Sequence, residues 1–481
     1  MAPAQTNPRV MAVVCGDTHT AFITEDGYAA WAVGSGIHGQ LGHGDAQPRC
    51  WPSRLNTTFG DKRLVLLASG SNHMAAVTDD GSLWTWGEGR SGQLGHGDWA
   101  RKLTPLRVES GQIGFAKAAM VACGSFHTVA LAASGVVWSC GGGDFGQLGH
   151  GPMGFAGDPT FKSLRPSCFG GAEVVAVAAG AVHSAALAQG GVVWTWGSGG
   201  HGELGHGDRN SKEVPMQLGL EHFGGSHVVM LAAGGDHILS SYAGHSVAVT
   251  RDGGLFAWGS GCCGQLGQGD QDDRLVPSRV GADLFGATVQ MATCGDRCTL
   301  AVTREGLVYA FGAGEEGQLG CDVTTKRLLP ALVPPRHFEF AKVVTAASGY
   351  AHSAAVTEDG RLFTWGCGRS PYYRQSPSGL GTGSLGQQLV PALVSSDHLR
   401  GALVGIYCHR ALAPCSAVAF AMGTHARLGP ASMSELLPEL VRLVVEACEC
   451  SWAGEAEAIA RCVGGSRMKV EGGGKGAVPG R

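Results

Sequence analysis

One stretch of this chain returns again and again between Trp31 and Phe363, and it constrains the fold more than any other feature. Its clearest copy runs Leu83-Trp84-Thr85-Trp86-Gly87-Glu88-Gly89-Arg90-Ser91-Gly92-Gln93-Leu94-Gly95-His96-Gly97-Asp98. Aligned on the leucine of Gly-Gln-Leu-Gly, the copies are anchored at Leu41, Leu94, Leu148, Leu204, Leu266 and Leu319, and more weakly at Leu380. An aromatic residue precedes the first six anchors by ten positions: Trp31, Trp84, Trp138, Trp194, Phe256 and Tyr309. A proline lies eleven positions after an anchor at Pro52, Pro105, Pro215, Pro277, Pro330 and Pro391. A histidine lies eleven positions before the aromatic at His73, His127, His183, His245 and His352, with His19 one residue further out and Cys298 as a replacement. Apart from insertions the period is about 53 to 56 residues, which is the signature of a repeat architecture.

The half-repeat before each aromatic reads as an antiparallel hairpin. In Val13-Val14-Cys15-Gly16-Asp17-Thr18-His19-Thr20-Ala21-Phe22-Ile23-Thr24-Glu25-Asp26-Gly27 an apolar run, a Gly turn, an alternating run and an Asp-Gly turn follow in order. The aromatic strand comes next, then a Gly-rich loop and a proline-containing strand such as Pro105-Leu106-Arg107-Val108. Proline suits the outer edge of a sheet, where no ladder donor is lost. Each repeat is thus a sheet of about four strands, too small to cover its own faces. Sheets arranged about an axis bury those faces on one another, and the expected fold is all-β, a β-propeller. The 79 glycines among 481 residues, with no collagen triplet, fit a chain of many tight turns.

The repeated pattern, Gly-x-x-His through Asp-Gly, Trp-x-Trp-Gly-x-Gly and Gly-Gln-Leu-Gly-His-Gly-Asp, resembles the regulator of chromosome condensation repeat from residue 10 to about 423. The resemblance implies a seven-bladed propeller in which strands from the two chain ends share one blade. Residues 403–423 are the candidate for that lock, because His409, Phe420 and Gly423 keep the offsets of His73, Trp84 and Gly87. Their apolar residues Val404, Ile406, Val418 and Phe420 would be buried by it. The expected organisation is an arm over 1–9, the propeller over 10–423, a helical segment over 424–463 and a disordered Gly-rich tail over 464–481. The helix rests on the apolar spacing from Leu436 to Cys448, with Ser432-x-x-Glu435 as a capping box.

Departures from the period are where binding function is expected, since insertions in repeat proteins map to loops. Repeat seven gains residues between Phe363 and Leu380, and Arg369, Tyr372, Tyr373 and Arg374 there form the first candidate partner-binding loop. Repeat three is lengthened between Leu148 and Pro166, around Phe155 and Asp158. Repeat five is lengthened before His245, from His237 to Tyr242. These two loops are secondary candidates.

Catalytic, metal and cofactor readings fail against the repeat. His43, His96 and His206, each in His-Gly-Asp, occupy one position in different blades and cannot converge on a metal; a turn role, bonding local backbone, is expected instead. The His19, His73, His127 series is too numerous for general bases and is read as structural imidazoles near the inner strands. No helix follows Gly34-x-Gly36 to receive a pyrophosphate, and no nucleophile elbow, P-loop or shared carboxylate pair is found. The sixteen cysteines show no framework spacing, the tightest sets being Cys262-Cys263, Cys294/Cys298 and Cys448/Cys450, and are read as reduced thiols. The expectation is no enzyme, no cofactor and no metal.

A net charge of −4 gives no bulk pull toward nucleic acid or an anionic membrane. The residues from Met1 to Arg9 lack an apolar signal core and contain one basic residue. The reading is a monomeric, intracellular protein of the cytoplasm and/or nucleus, a non-catalytic scaffold for protein partners. Members of the resembled family also serve as guanine-nucleotide exchange factors for a small GTPase, as substrate-reading parts of ubiquitin ligases and as an ultraviolet-B photoreceptor. The exchange-factor and ligase-adaptor roles stand as alternatives. The photoreceptor's Gly-Trp-Arg-His signature has no counterpart, since Asp17-Thr18, Ser71-Asn72, Ser125-Phe126, Ala181-Val182 and Tyr350-Ala351 precede the histidines.

Overall fold

The computed structural model describes residues 8–28, 30–55, 59–109, 117–152, 157–235, 243–281, 288–369, 377 and 379–395. These form seven four-stranded antiparallel sheets, each a contiguous stretch of chain, over 10–54, 64–107, 118–163, 174–218, 228–279, 289–333 and 343–393. In blade 1 the order is β1 (Val10–Cys15), β2 (His19–Thr24), β3 (Ala30–Gly34) and β4 (Arg49–Arg54), and every other blade repeats it. The first strands of neighbouring blades contact one another all the way round, the last blade's meeting the first's, so they line the axis. The proline-bearing fourth strands form the rim, as their half-exposed burial pattern requires.

The second strands explain why the blades cannot stand alone. Each is buried along its full length, as in His73-Met74-Ala75-Ala76-Val77-Thr78, because both of its faces pack on other blades. The core is correspondingly divided. Seven apolar clusters exist among the described residues, and each straddles a junction between two blades. One of them joins Val10, Val13, Phe22 and Trp31 of blade 1 to Ala354, Val356, Leu362 and Val394 of blade 7.

Among the described residues the ring closes blade on blade. No described sheet mixes strands from the two chain ends; blade 1 is complete in itself and docks on blade 7 as on any neighbour. Val10 N donates to Gly360 O at 2.8 Å, just as Leu64 N donates to Gly27 O at 2.7 Å across the first junction. Gly383 N donates to Cys50 O at 3.3 Å, repeating Gly44 N to Leu103 O at 2.9 Å. At the axial end of the inner strands a side chain on Gly349 would meet Gly16 O at 2.1 Å, so only glycine allows the last blade to approach the first. The proposed lock, 403–423, lies outside the described residues, as do the helical segment 424–463, the tail 464–481 and residues 1–7.

The third repeat differs from the others. Its rim strand, Asp158–Ser163, places Phe161 where the other blades have proline, and Phe161 is buried there. Pro166 instead opens a short 3-10 turn, Pro166–Phe169, leading to blade 4. Matching turns place Phe59, Phe169, Phe223 and Phe338 edge-on against the aromatic pair of the following blade. Phe338, for example, sits 5.5 Å from Phe363 and 5.9 Å from Trp365.

Candidate interaction site

Strand order decides which loops share a face. The first-to-second and third-to-fourth connections of every blade open on one side, called here the loop face; the Asp-Gly turns open on the other. The Gly-Gln-Leu-Gly segments, and the residue pairs preceding the histidines, therefore lie on the loop face.

Beneath that face runs a relay that accounts for most of the repeated polar residues. Each inner histidine begins the second strand, is fully buried, and reaches a hydroxyl of the next blade. His73 Nε2 is 2.8 Å from Thr128 Oγ1, His127 Nε2 is 2.8 Å from Ser184 Oγ and His183 Nε2 is 2.9 Å from Ser246 Oγ. His245 and Thr299 continue the series at 3.0 Å. The hydroxyl hands its own proton to the main chain of the histidine's blade: Thr128 Oγ1 donates to Gln93 O at 2.7 Å and Ser184 Oγ to Gln147 O at 2.9 Å. Since that proton is spent, the hydroxyl accepts from the imidazole, which sets the tautomer as Nε2–H. The second tryptophan of Trp-x-Trp-Gly donates to the same carbonyl, as Trp196 Nε1 does to Gln147 O at 2.9 Å. Both donors grip the Gly-Gln-Leu-Gly loop of one blade from the next.

The glutamine side chain folds back on its own loop: Gln147 Oε1 accepts from Phe145 N at 2.9 Å. In blade 4 Glu203 does the same for His201 N at 2.7 Å, and burial raises its carboxyl pKa above the usual range. Burial also keeps the histidines neutral, with pKa values lowered to about 3 for His19, His73, His127 and His245, and to about 4 for His183 and His352. At the first junction Met74 replaces the hydroxyl, and His19 Nε2 lies 3.0 Å from Ser69 Oγ. The inner histidines are thus structural, as the sequence indicates.

The His-Gly-Asp residues divide in role. Asp98 Oδ1 accepts from Ala100 N at 3.0 Å and Oδ2 pairs with Lys102 at 2.7 Å, a local turn as expected. The histidine also reaches a hydroxyl: His96 Nε2 is 2.9 Å from Thr85 Oγ1, and His206 repeats this with Thr195. Sequence spacing could not separate these partners, because the hydroxyl belongs to a strand eleven residues away.

All three departures from the repeat open on the loop face. Arg369 is exposed there and pairs through its backbone with Pro377; Tyr372, Tyr373 and Arg374, between them, lie outside the described residues. In blade 5 the first strand runs two residues further than its counterparts, to Gly235, and pairs with Gly244. His237 and Tyr242 lie outside the described residues, and so does Phe155. Asp158 is buried, accepts from Thr160 N at 3.0 Å and forms an ion pair with Lys162. Elsewhere on this face the loops of adjacent blades are stapled, His38 to Glu88 at 2.7 Å and Arg209 to Asp273 at 2.7 Å.

The RCC1-like domain profile matches residues 1–240, and RCC1 repeat profiles match 228–265, 252–302, 305–356 and 343–370. The ultraviolet-B receptor UVR8 of Arabidopsis thaliana is 34% identical over 75% of this chain and 77% of the receptor. The chain belongs to the RCC1 repeat family. This RCC1-repeat propeller is also 36% identical to part of the human E3 ubiquitin-protein ligase HERC2, over 63% of this chain but 6% of the ligase. Among solved structures, human WBSCR16 matches with a TM-score of 0.64 and 26% identity, covering 76% of this chain and 93% of that one. Prp20p of Saccharomyces cerevisiae shares the fold at a TM-score of 0.64 and 21% identity, over 80% and 87% of the two chains. In this RCC1-repeat propeller the relay beneath the loops occupies the buried histidines that would otherwise suggest chemistry. No helix among the described residues is long and apolar enough to cross a membrane.

Proposed function

We propose that this chain is a non-catalytic protein-interaction scaffold whose partners dock on the loop face. The principal contact is the blade 7 loop carrying Arg369, Tyr372, Tyr373 and Arg374; the loops around Phe155 and from His237 to Tyr242 are secondary. One observation carries the reading: the irregular segments all open on one face, while the inner histidines are consumed by inter-blade bonds and the glutamine side chains by bonds within their own loops. The test is an affinity capture with the full chain and with 370–376 replaced by a short Gly-Ser turn. Loss of specific partners with unchanged melting supports the loop; retention of every partner removes it.

A second reading, guanine-nucleotide exchange on a small GTPase, is favoured by the rebuilding of that same loop. It draws on Prp20p, whose structure is reported with its binding properties to Gsp1p and histones. Fluorescent-nucleotide release from candidate GTPases decides it, a flat trace with purified chain excluding exchange. Adaptor service to a ubiquitin ligase, suggested by the likeness to HERC2, predicts co-purification with ligase subunits.

A further inference from the structure

We propose that Cys262 and Cys263 form an oxidant-sensitive dithiol on the loop face, with Cys262 as the sulfur that reacts first with hydroperoxides and Cys263 as the sulfur that resolves the product.

The pair interrupts the Gly-rich loop of blade 5, immediately before Gln265. Cys262 is exposed, whereas Cys263 is buried beside it with the two Sγ atoms 3.7 Å apart. Among the described cysteines Cys262 alone is exposed; Cys123, Cys140, Cys294 and Cys298 are buried, and burial drives their pKa values up. The repeat itself builds the environment of Cys262. Gln265 Oε1 accepts from Cys263 N at 2.9 Å, the fold-back of the Gly-Gln-Leu-Gly loops, and this leaves its Nε2 directed at Cys262 Sγ, 4.0 Å away. Ser260 Oγ donates to the same sulfur at 3.5 Å. Arg297, held over the Tyr350 ring at 5.5 Å, stands on the neighbouring inner turn, and Lys326 Nζ donates to Cys262 O at 3.4 Å. Hydrogen bonding from Cys263 first, then from Ser260 and Gln265, and then the Arg297 charge, favour the thiolate of Cys262. An exposed thiolate beside a second thiol is the arrangement that oxidant-sensing sites use.

The chemistry balances with a hydroperoxide as the oxidant. The Cys262 thiolate attacks one peroxide oxygen; an S–O bond forms, the O–O bond breaks, and the departing alkoxide or hydroxide takes a proton from solvent. Sulfur loses two electrons and the peroxide gains them, leaving Cys262 as a sulfenic acid. The Cys263 sulfur then attacks the Cys262 sulfur, forming S–S and breaking S–O. The hydroxide leaves with the Cys263 proton as water.

The test uses the full chain, native and as Cys263→Ser and Cys262→Ser, treated with hydrogen peroxide and read by peptide mass spectrometry. In Cys263→Ser, which keeps a hydroxyl donor beside Cys262 but cannot resolve the product, dimedone should trap a sulfenic acid at Cys262 at least about ten-fold above that at Cys50 or Cys321. The native chain should instead lose two hydrogens on the peptide carrying both cysteines, and Cys262→Ser should lose neither. Alkylation of Cys262 by iodoacetamide should be nearly independent of pH between about 6 and 8, where an ordinary thiol speeds up about ten-fold per unit. Dimedone labelling spread evenly over the cysteines would overturn the proposal. So would an ordinary pH profile at Cys262.

Discussion

His352 Nε2 lies 2.9 Å from Thr20 Oγ1, although 332 residues of chain separate them. This is the relay bond of the other junctions, made here between the last blade and the first. Both groups are fully buried, so neither has water as an alternative partner.

The closing junction should therefore be sufficient without the chain beyond it. A chain ending after Ser395 is expected to remain folded and to melt close to the full chain, whereas His352→Ala should lose about 1–3 kcal/mol by stranding the Thr20 hydroxyl. Thermal and urea unfolding of the two variants check this. Aggregation of the truncated chain would instead give 403–423 the locking role that the sequence suggests.

Acid should act on the inner histidines together. Their folded pKa values lie at about 3 to 4, below the ordinary value near 6.5 that they regain on unfolding. Between these limits the unfolded chain binds protons that the folded chain does not. Stability is therefore fully present above about pH 6.5 and falls as pH drops toward 4, by ~1.4 kcal/mol per unit for each histidine. Urea midpoints measured across pH should be flat near neutrality and fall steeply below about pH 6. His127→Gln should reduce that slope by about one proton.

Glu203 works in the opposite direction. Its carboxyl is buried where the other loops carry glutamine, and burial raises its pKa, so its folded state favours the protonated form. The ionised form costs stability as pH rises above the unfolded value. Glu203→Gln should stabilise the protein by about 1–3 kcal/mol at neutral pH, with the gain shrinking toward pH 4. Paired denaturation curves at the two pH values test both parts.

The linker aromatics should separate cleanly by burial. Phe338 is 2% exposed and edge-on to Phe363, while Phe340, two residues on, is 79% exposed. Phe338→Ala should cost about 3–5 kcal/mol and Phe340→Ala less than about 0.5. Equal losses in thermal unfolding would mean that the turn, not the ring packing, carries the effect.

The spacing of leucine, aromatic, proline and histidine was enough to read seven blades, because each marks a fixed place on a strand. A lock by 403–423, suggested by the offsets of His409 and Phe420, lies outside the described residues; the docking of blade 1 on blade 7 was not legible, because it carries no mark in the sequence that sets it apart from other junctions. The third rim strand was not legible for a related reason: Phe161 fills the inward site that proline takes in the other blades, and Pro166 opens the turn that follows. Phe59, Phe169, Phe223 and Phe338 recur before each next blade, mostly as Phe-Gly, and that weak signal would have revealed the linker contacts. Of the contact loops, the sequence marks length and residue type, while partner choice depends on surfaces that one chain alone does not contain.

Because the junction between blades 7 and 1 repeats main-chain and histidine–hydroxyl bonds found at other junctions but has no peptide linking it, the chain break need not fall there. Circular permutants that join the region after Ser395 to Arg9 and open the chain at another inter-blade linker should assemble the same ring. Such permutants could carry a fused domain to any sector of the circumference without disturbing the face on which partners dock.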